Sequence, residues 1–273
     1  MAQSEWVELL RRAFHEIGIT AEFAAKPRRA HHLESLCAGG EDQYVTDLWY
    51  NIPMKDESCA YCGDRKLADA FGIKLIELPA SKVYLFREQS HPGRIIVASK
   101  RHVGEIIDLP RRERQEFLDD VARAANALRK AFGPDKINYG AYGDTCGHLH
   151  FHLVPKYASD PFEWGDTFAM NPKRRFMSDS EYADLAAKLA AELYVGDVVD
   201  FRKALSDMRR DIGADGKVEL CETAVLLAAL TPLAGTSAAI DAFVQKLLAV
   251  RADGKVTSEE SAGIIRQMDE LLA

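Results

Sequence analysis

His148-Leu149-His150-Phe151-His152-Leu153-Val154-Pro155 alternates imidazoles with large apolar side chains. On a β-strand, successive side chains point to opposite faces, so positions i, i+2 and i+4 share one. The three histidines then line one face, while Leu149, Phe151 and Leu153 anchor the other in a core. Neighbouring imidazoles are expected roughly 7 Å apart, from a rise of about 3.3 Å per residue. Such a row offers nucleophiles, acid/base groups or metal ligands on a single rigid element. A cloning tag would be terminal and uninterrupted, and this run is neither.

The surrounding sequence supplies a sheet for that strand. The stretches 73–78, 82–87 and 94–99 are rich in β-branched and aromatic residues, with a turn at Ser90-His91-Pro92-Gly93 between the last two. Pro110 opens a long helix that runs to Phe132 and stops at Gly133-Pro134. A strand over 137–142 and a tight loop over 143–147 lead into the histidine strand at 148–154. A short helix is expected over 59–72. Strands joined mostly as hairpins, with helices set apart, indicate an α+β fold: an antiparallel sheet with packed helices.

The texture changes on either side. Residues 4–17 read as an amphipathic helix, and 26–45 carry little periodicity after the basic turn Lys26-Pro27-Arg28-Arg29. From Ser178 onward, helical patterns cover 178–193, 196–211, 219–230, 236–250 and 258–272. The expected organisation is an N-terminal extension (1–54), an α+β domain (55–177) and a C-terminal all-α domain (178–273). Within the last, Ala214-Asp215-Gly216-Lys217-Val218 recurs as Ala252-Asp253-Gly254-Lys255-Val256.

Bulk properties narrow the function. The chain has 273 residues and a formal net charge of −7, so no global field attracts nucleic acid polymers or anionic membranes. No apolar run is long enough for a membrane span, and the first residues lack a signal-peptide pattern. Five cysteines without an export signal point to reduced thiols in a cytoplasmic protein.

Cys59-Ala60-Tyr61-Cys62 is a CxxC, which can bind a metal or form a redox pair. His102, just after a strand, and His148, opening the triad, could complete a Cys2His2 zinc site. Two packed cysteines and an ordinary surface histidine are the alternative.

The motif at 148–154 resembles that of the histidine triad (HIT) family, His-φ-His-φ-His-φ-φ with φ apolar, at every position. Ile95-Ile96-Val97-Ala98-Ser99-Lys100-Arg101-His102-Val103, the long helix and Asn138-Tyr139-Gly140 fall in the family's order. The resemblance covers residues 55–160. It implies a structural zinc on Cys59, Cys62, His102 and His148. It implies His150 as the nucleophile toward the α-phosphate of a nucleotide, with His152 bonding the phosphate or leaving group. Asn138 resembles the family's polar contact to the nucleotide, and Thr145 with the loop amides could stabilise charge on the phosphate. The activity implied is hydrolysis of a purine nucleoside phosphoramidate, ester or dinucleoside polyphosphate, by a homodimer. The rivals are a nucleotidyl transferase and a nucleotide-binding module with little turnover. Where the family commonly carries Gly-Gln before the triad, this chain has Gly143-Asp144. A carboxylate beside a phosphate is repulsive unless protonated, metal-bound or turned away.

The C-terminal unit resembles a degenerate EF-hand pair or a TerB-like helical domain, and could recruit a protein partner. A calcium loop would run from Asp211 to Glu222, but its third position is Gly213. The second copy, with Ala249 and Arg251 at positions 1 and 3, is not expected to bind calcium. Cys146, Cys37 and Cys221 are read as packed or loop thiols.

Overall fold

The computed structural model describes residue 56 and residues 58–63, 65–143, 145–159, 164–165, 174–195, 200–212 and 216–273, with the side chains of 65 and 66 excepted. The helix expected over 4–17, the stretch 26–45, the N-terminal extension as a whole and Asp144 lie outside them.

Five strands form one sheet in the order β1-β2-β3-β5-β4: β1 (Gly72–Glu77), β2 (Ser81–Phe86), β3 (Ile95–Ser99), β4 (Lys136–Gly140) and β5 (His150–Lys156). Every neighbouring pair is antiparallel. The α+β architecture expected from the strand spacing is therefore observed. Central β3 (Ile-Ile-Val-Ala-Ser) is buried along its whole length, which explains why it reads as a continuous apolar run. The register sorts its faces. Ile96 lies opposite His152 and Ala98 opposite His150, while Val97 lies opposite Phe151 and Ile95 opposite Leu153. Directly paired residues share a face, so the histidines and the apolar anchors separate as the alternation requires.

The apolar face is closed by a 22-residue helix whose range is preceded in the chain by a five-residue one. These are α1 (Arg65–Asp69) and α2 (Arg111–Phe132). Phe117, Val121, Ala124 and Leu128 of α2 join Val83, Leu85, Ile95, Val97 and Leu153 in one cluster. Each such Leu or Phe contributes about 1.5–3 kcal/mol by leaving water. Gly133 ends α2 at φ 59°, a left-handed conformation that glycine adopts without a side-chain penalty. Buried Asp120 accepts from the Ala80 amide (2.9 Å) and the Ser81 hydroxyl (2.8 Å), pinning the β1–β2 turn to α2.

Two differences from expectation bear on the site. The helix expected over 59–72 is reduced to α1, because Cys59–Gly63 closes as a tight turn, with the Gly63 amide on the Cys59 carbonyl at 2.8 Å. The histidine strand starts at His150 rather than His148. The backbone of 148–149 instead bonds to Cys146, Val103 and Ser99.

The C-terminal region is helical: α3 (Asp179–Leu193), α4 (Phe201–Ile212), α5 (Leu220–Leu230), α6 (Ala238–Ala252) and α7 (Ser258–Leu272). Capping boxes start α3, α5 and α7 on Ser178/Glu181, Glu219/Glu222 and Thr257/Glu260. The acidic residues after each Ala-Asp-Gly-Lys-Val repeat are thus used as helix caps. Gly216 and Gly254 occupy matching positive-φ positions, 70° and 72°. The side chains of α3 and α5 belong to the same apolar cluster as the sheet and α2, while α4 to α7 share a second cluster around Phe243 and Leu247. Hydrogen bonds cross the boundary: Tyr182 to the Arg87 carbonyl (2.5 Å) and Tyr194 to the Leu75 carbonyl (3.2 Å). No described helix is long and apolar enough to cross a membrane.

A charge network seals the same boundary. Glu77 of β1 pairs with Lys74, Lys100 (3.7 Å) and Arg210 of α4 (3.0 Å), and Lys74 also reaches Asp211 (2.6 Å). Asp211 and Glu222, the first and last positions of the calcium loop considered above, are therefore held in an ion pair and a helix cap. Burial alone would raise the Glu77 carboxyl, but Lys74, with Lys100 and Lys82 nearby, outweighs it and holds the group down to about 2. A carboxyl lowered on folding stabilises above its unfolded pKa, and that stabilisation is lost as pH falls through the folded one. Unfolding stability is thus expected to decline between pH 4.5 and about 2. Chemical denaturation across that range should show Glu77→Gln less stable at neutral pH and less sensitive to acid than the wild type.

Candidate functional site

The site is built where residues 148–149 leave the sheet. His148 donates from Nε2 to the Ser99 carbonyl at 2.7 Å, since a carbonyl only accepts. Its Nδ1 therefore presents a lone pair on the other side. That lone pair faces Cys59 Sγ (3.4 Å), Cys62 Sγ (3.3 Å) and His102 Nδ1 (3.3 Å). The tight turn at Cys59–Gly63 brings both thiols to one point, and the loop after β3 brings His102 there.

The four ligand atoms lie within 4.8 Å of one another, and among the described residues this is the only group of three or more His, Cys, Asp or Glu side chains fit to hold a metal. Two thiols and two imidazoles form a closed tetrahedral donor set. Burial and the adjacent Cys59 push the Cys62 thiol up to about 11, and burial pushes the His148 imidazole down to about 4. A neutral imidazole can meet a cation with its lone pair directly, whereas each thiol must give up a proton to do so. The four described cysteines, Cys59, Cys62, Cys146 and Cys221, are free thiols.

His150 and His152 carry opposite tautomers. His150 Nδ1 lies 2.7 Å from the His148 carbonyl. It must donate there, which leaves its Nε2 as a lone pair. His152 Nδ1 lies 3.1 Å from Arg94 Nη2. A guanidinium only donates, so His152 Nδ1 accepts and the proton sits on Nε2. Burial holds both imidazoles neutral. It lowers His150 against the opposing bond to the His148 carbonyl, and together with the Arg94 charge it takes His152 to about 3. The two ring centroids are 5.1 Å apart, closer than the rise along the strand predicts, because the rings lean toward one another.

The sequence reading assigned no role to two further residues. Tyr61, inside the CxxC, stacks obliquely between His148 and His150 at centroid distances of 5.0 and 5.1 Å. Arg94 is fully buried at 0% exposure. A charged residue opening an otherwise apolar strand was the available signal. Asn138 is half-buried on β4, opposite Val154, and Gly140 two residues on lies opposite His152. Asn138 thus shares the His152 face. Thr145 is exposed on the preceding loop.

Residues 73–159 match the family model described as the HIT domain. The triad lies inside that match, with Cys59 and Cys62 ahead of it. Adenosine 5'-monophosphoramidase HNT1 of Saccharomyces cerevisiae is 29% identical over 119 residues, 41% of this chain and 72% of that protein. AP-4-A phosphorylase of Mycobacterium tuberculosis is 30% identical over 76 residues, 26% of this chain and only 39% of that protein. A solved histidine triad protein from Marinobacter aquaeolei is 26% identical, covers 46% of this chain and 90% of its own, and superimposes with a TM-score of 0.43.

The donor set predicts a bound metal. Elemental analysis of purified protein should find about one equivalent of a thiophilic divalent ion, as a closed four-ligand site requires. Cys62→Ser and His102→Ala should each lower that stoichiometry and the melting temperature, and a chelator should melt the wild type toward the variants.

Proposed function

We propose that the protein is a nucleotide hydrolase acting at the α-phosphate of a nucleoside phosphoramidate, ester or dinucleoside polyphosphate, with His150 as nucleophile. The observation that carries this is the His150 Nδ1–H bond to the His148 carbonyl. It fixes the tautomer whose Nε2 lone pair can attack phosphorus. His152, five ångströms across in ring separation (5.1 Å), offers an Nε2–H to the phosphate. The names of the two relatives support the substrate class: one is a monophosphoramidase and the other acts on AP-4-A.

Displacement runs in two halves. The His150 lone pair forms an N–P bond as the bond to the leaving group breaks. Water then adds to phosphorus, the N–P bond breaks, and the nucleoside monophosphate departs. Splitting one hard displacement into two easier ones is the gain from covalent catalysis. Asn138 would contact the nucleotide, and Thr145 with the loop amides would meet the charge on the non-bridging oxygens. The adenosine compounds named for both relatives favour a purine base.

Zinc suits the Cys59, Cys62, His102 and His148 set best, because two thiolates and two imidazoles match its preferred ligands. Bound there, it would supply cross-linking rather than Lewis-acid chemistry, since all four positions are filled by protein. Holding His148 also holds the carbonyl that orients His150. A homodimer through α2 and the β4 edge would cover exposed Leu118 and Tyr139. The relative named a phosphorylase keeps a transferase reading beside hydrolysis, with phosphate in place of water.

AMP release from adenosine phosphoramidate and from a dinucleoside polyphosphate tests the reading. His150→Ala should lower kcat/KM by about a thousandfold or more, as loss of a nucleophile does, with metal content unchanged. Activity that survives the substitution would remove His150 from the role.

A further inference from the structure

Arg94 stands behind the triad rather than in it. Its Nη2 lies 3.1 Å from His152 Nδ1 and its Nη1 3.6 Å from the Glu88 carboxylate, with the guanidinium carbon 4.4 Å above the centre of the Phe86 ring. Glu88 is itself fixed by the amides of Ser90 (2.8 Å) and Arg175 (3.1 Å). The guanidinium is therefore contacted from three sides, by His152, Glu88 and Phe86. Its proton count does not change in the working range of a protein. Among the described residues, the other rings facing His152 are Phe86 from β2, at 5.7 Å, Tyr142 from the loop after β4, at 6.2 Å, and His150 on its own strand, at 5.1 Å between ring centroids. None of these is a carboxylate that would favour an imidazolium.

We propose that Arg94 is a positioning residue that locks His152 as a neutral Nε2–H donor, and so directs the site toward phosphoanhydrides in preference to phosphoramidates. The inference rests on the reading of His150 as nucleophile and narrows its substrate class. In the first half-reaction the His150 Nε2 pair forms the N–P bond. With an anhydride, the P–O bond breaks and its pair goes to the bridging oxygen. The leaving phosphate is a stable oxyanion, since phosphate's second ionisation lies near a pKa of about 6, and it departs without a proton. With a phosphoramidate, the pair would fall on nitrogen, which must gain a proton to leave. That proton has to come from a group holding one to spare. His152 Nδ1 is occupied by an Arg94 N–H, and its single ring proton on Nε2 could be given up only by forming an imidazolate. The His152 Nε2–H and the cation behind it instead stabilise negative charge on the departing oxygen. In the second half-reaction water adds to phosphorus, the N–P pair returns to His150 Nε2, and the water's proton passes to solvent.

Two measurements on the metal-loaded full chain test this. Nitrogen-15 NMR of histidine-labelled protein, assigned with His152→Gln, should show His152 protonated at Nε2 alone at neutral pH. In Arg94→Met that signature should give way to mixed tautomers, and Arg94→Lys should keep it. In parallel, kcat/KM should be compared for diadenosine tetraphosphate and adenosine phosphoramidate. The wild type should favour the anhydride by roughly a hundredfold, the lower end of what a general acid is worth. Arg94→Met should shrink that ratio, and Arg94→Lys should restore it. A wild-type His152 carrying Nδ1–H or both protons overturns the proposal, as does a substrate ratio unmoved by Arg94→Met. If Arg94→Met does not fold, the wild-type tautomer and the Arg94→Lys ratio decide. Correct tautomer with turnover of neither substrate would refute the hydrolase reading and the leaving-group preference together, while the hold of Arg94 on His152 would stand.

Discussion

His148 is the hinge of this structure, because one residue satisfies three constraints at once. Its Nε2–H is tied to the Ser99 carbonyl, its Nδ1 faces two thiols and a second imidazole, and its own carbonyl receives the His150 Nδ1–H. The sheet makes this arrangement available by starting β5 only at His150, so that the backbone of 148–149 bends toward the loop after β3. The Cys59–Gly63 turn and the nucleophile candidate are therefore both tied to His148, the turn through its ring and His150 through its carbonyl.

Two adjacent histidines on one strand face hold opposite tautomers because their partners have opposite hydrogen-bonding capacity. A carbonyl can only accept and a guanidinium can only donate. One ring is left with an exposed lone pair and the other with an exposed N–H. The two exposed groups thus differ although the sequence repeats the same residue. Tyr61, packed between His148 and His150, and Phe86, edge-on to His152, fill the space water would otherwise use. That dryness is also what depresses the imidazole pKa values.

The C-terminal helices add their own core and share the sheet's. Phe243, Leu247, Ile264 and Met268 pack among themselves, while α3 and α5 join the cluster that β1 and α2 build. The buried edges of that boundary are polar and satisfied: tyrosine hydroxyls meet sheet carbonyls, and Glu77 gathers cations from β1 and α4. Such a boundary couples the helices to the outer strand of the sheet, on the side away from β4.

Much of this was legible beforehand for identifiable reasons. Period-two alternation over 148–154 set the faces of the histidine strand, because strand geometry leaves no other assignment. Proline and glycine marked the ends of α2, and serine, threonine and glutamate spacing marked the starts of the later helices. The CxxC, His102 and His148 were visible as a donor set by residue type alone. Tertiary structure decided what chemistry those residues have. Tautomers depend on which atom of a distant residue lies within about 3 Å, and neither Ser99 behind His148 nor Arg94 behind His152 is near it in sequence. The five-residue α1 in place of a longer helix, and the β5 start delayed to His150, follow from contacts between segments far apart in the chain. Local pattern determined which residues share a face; only the packing of strands and loops against one another determined where each proton sits.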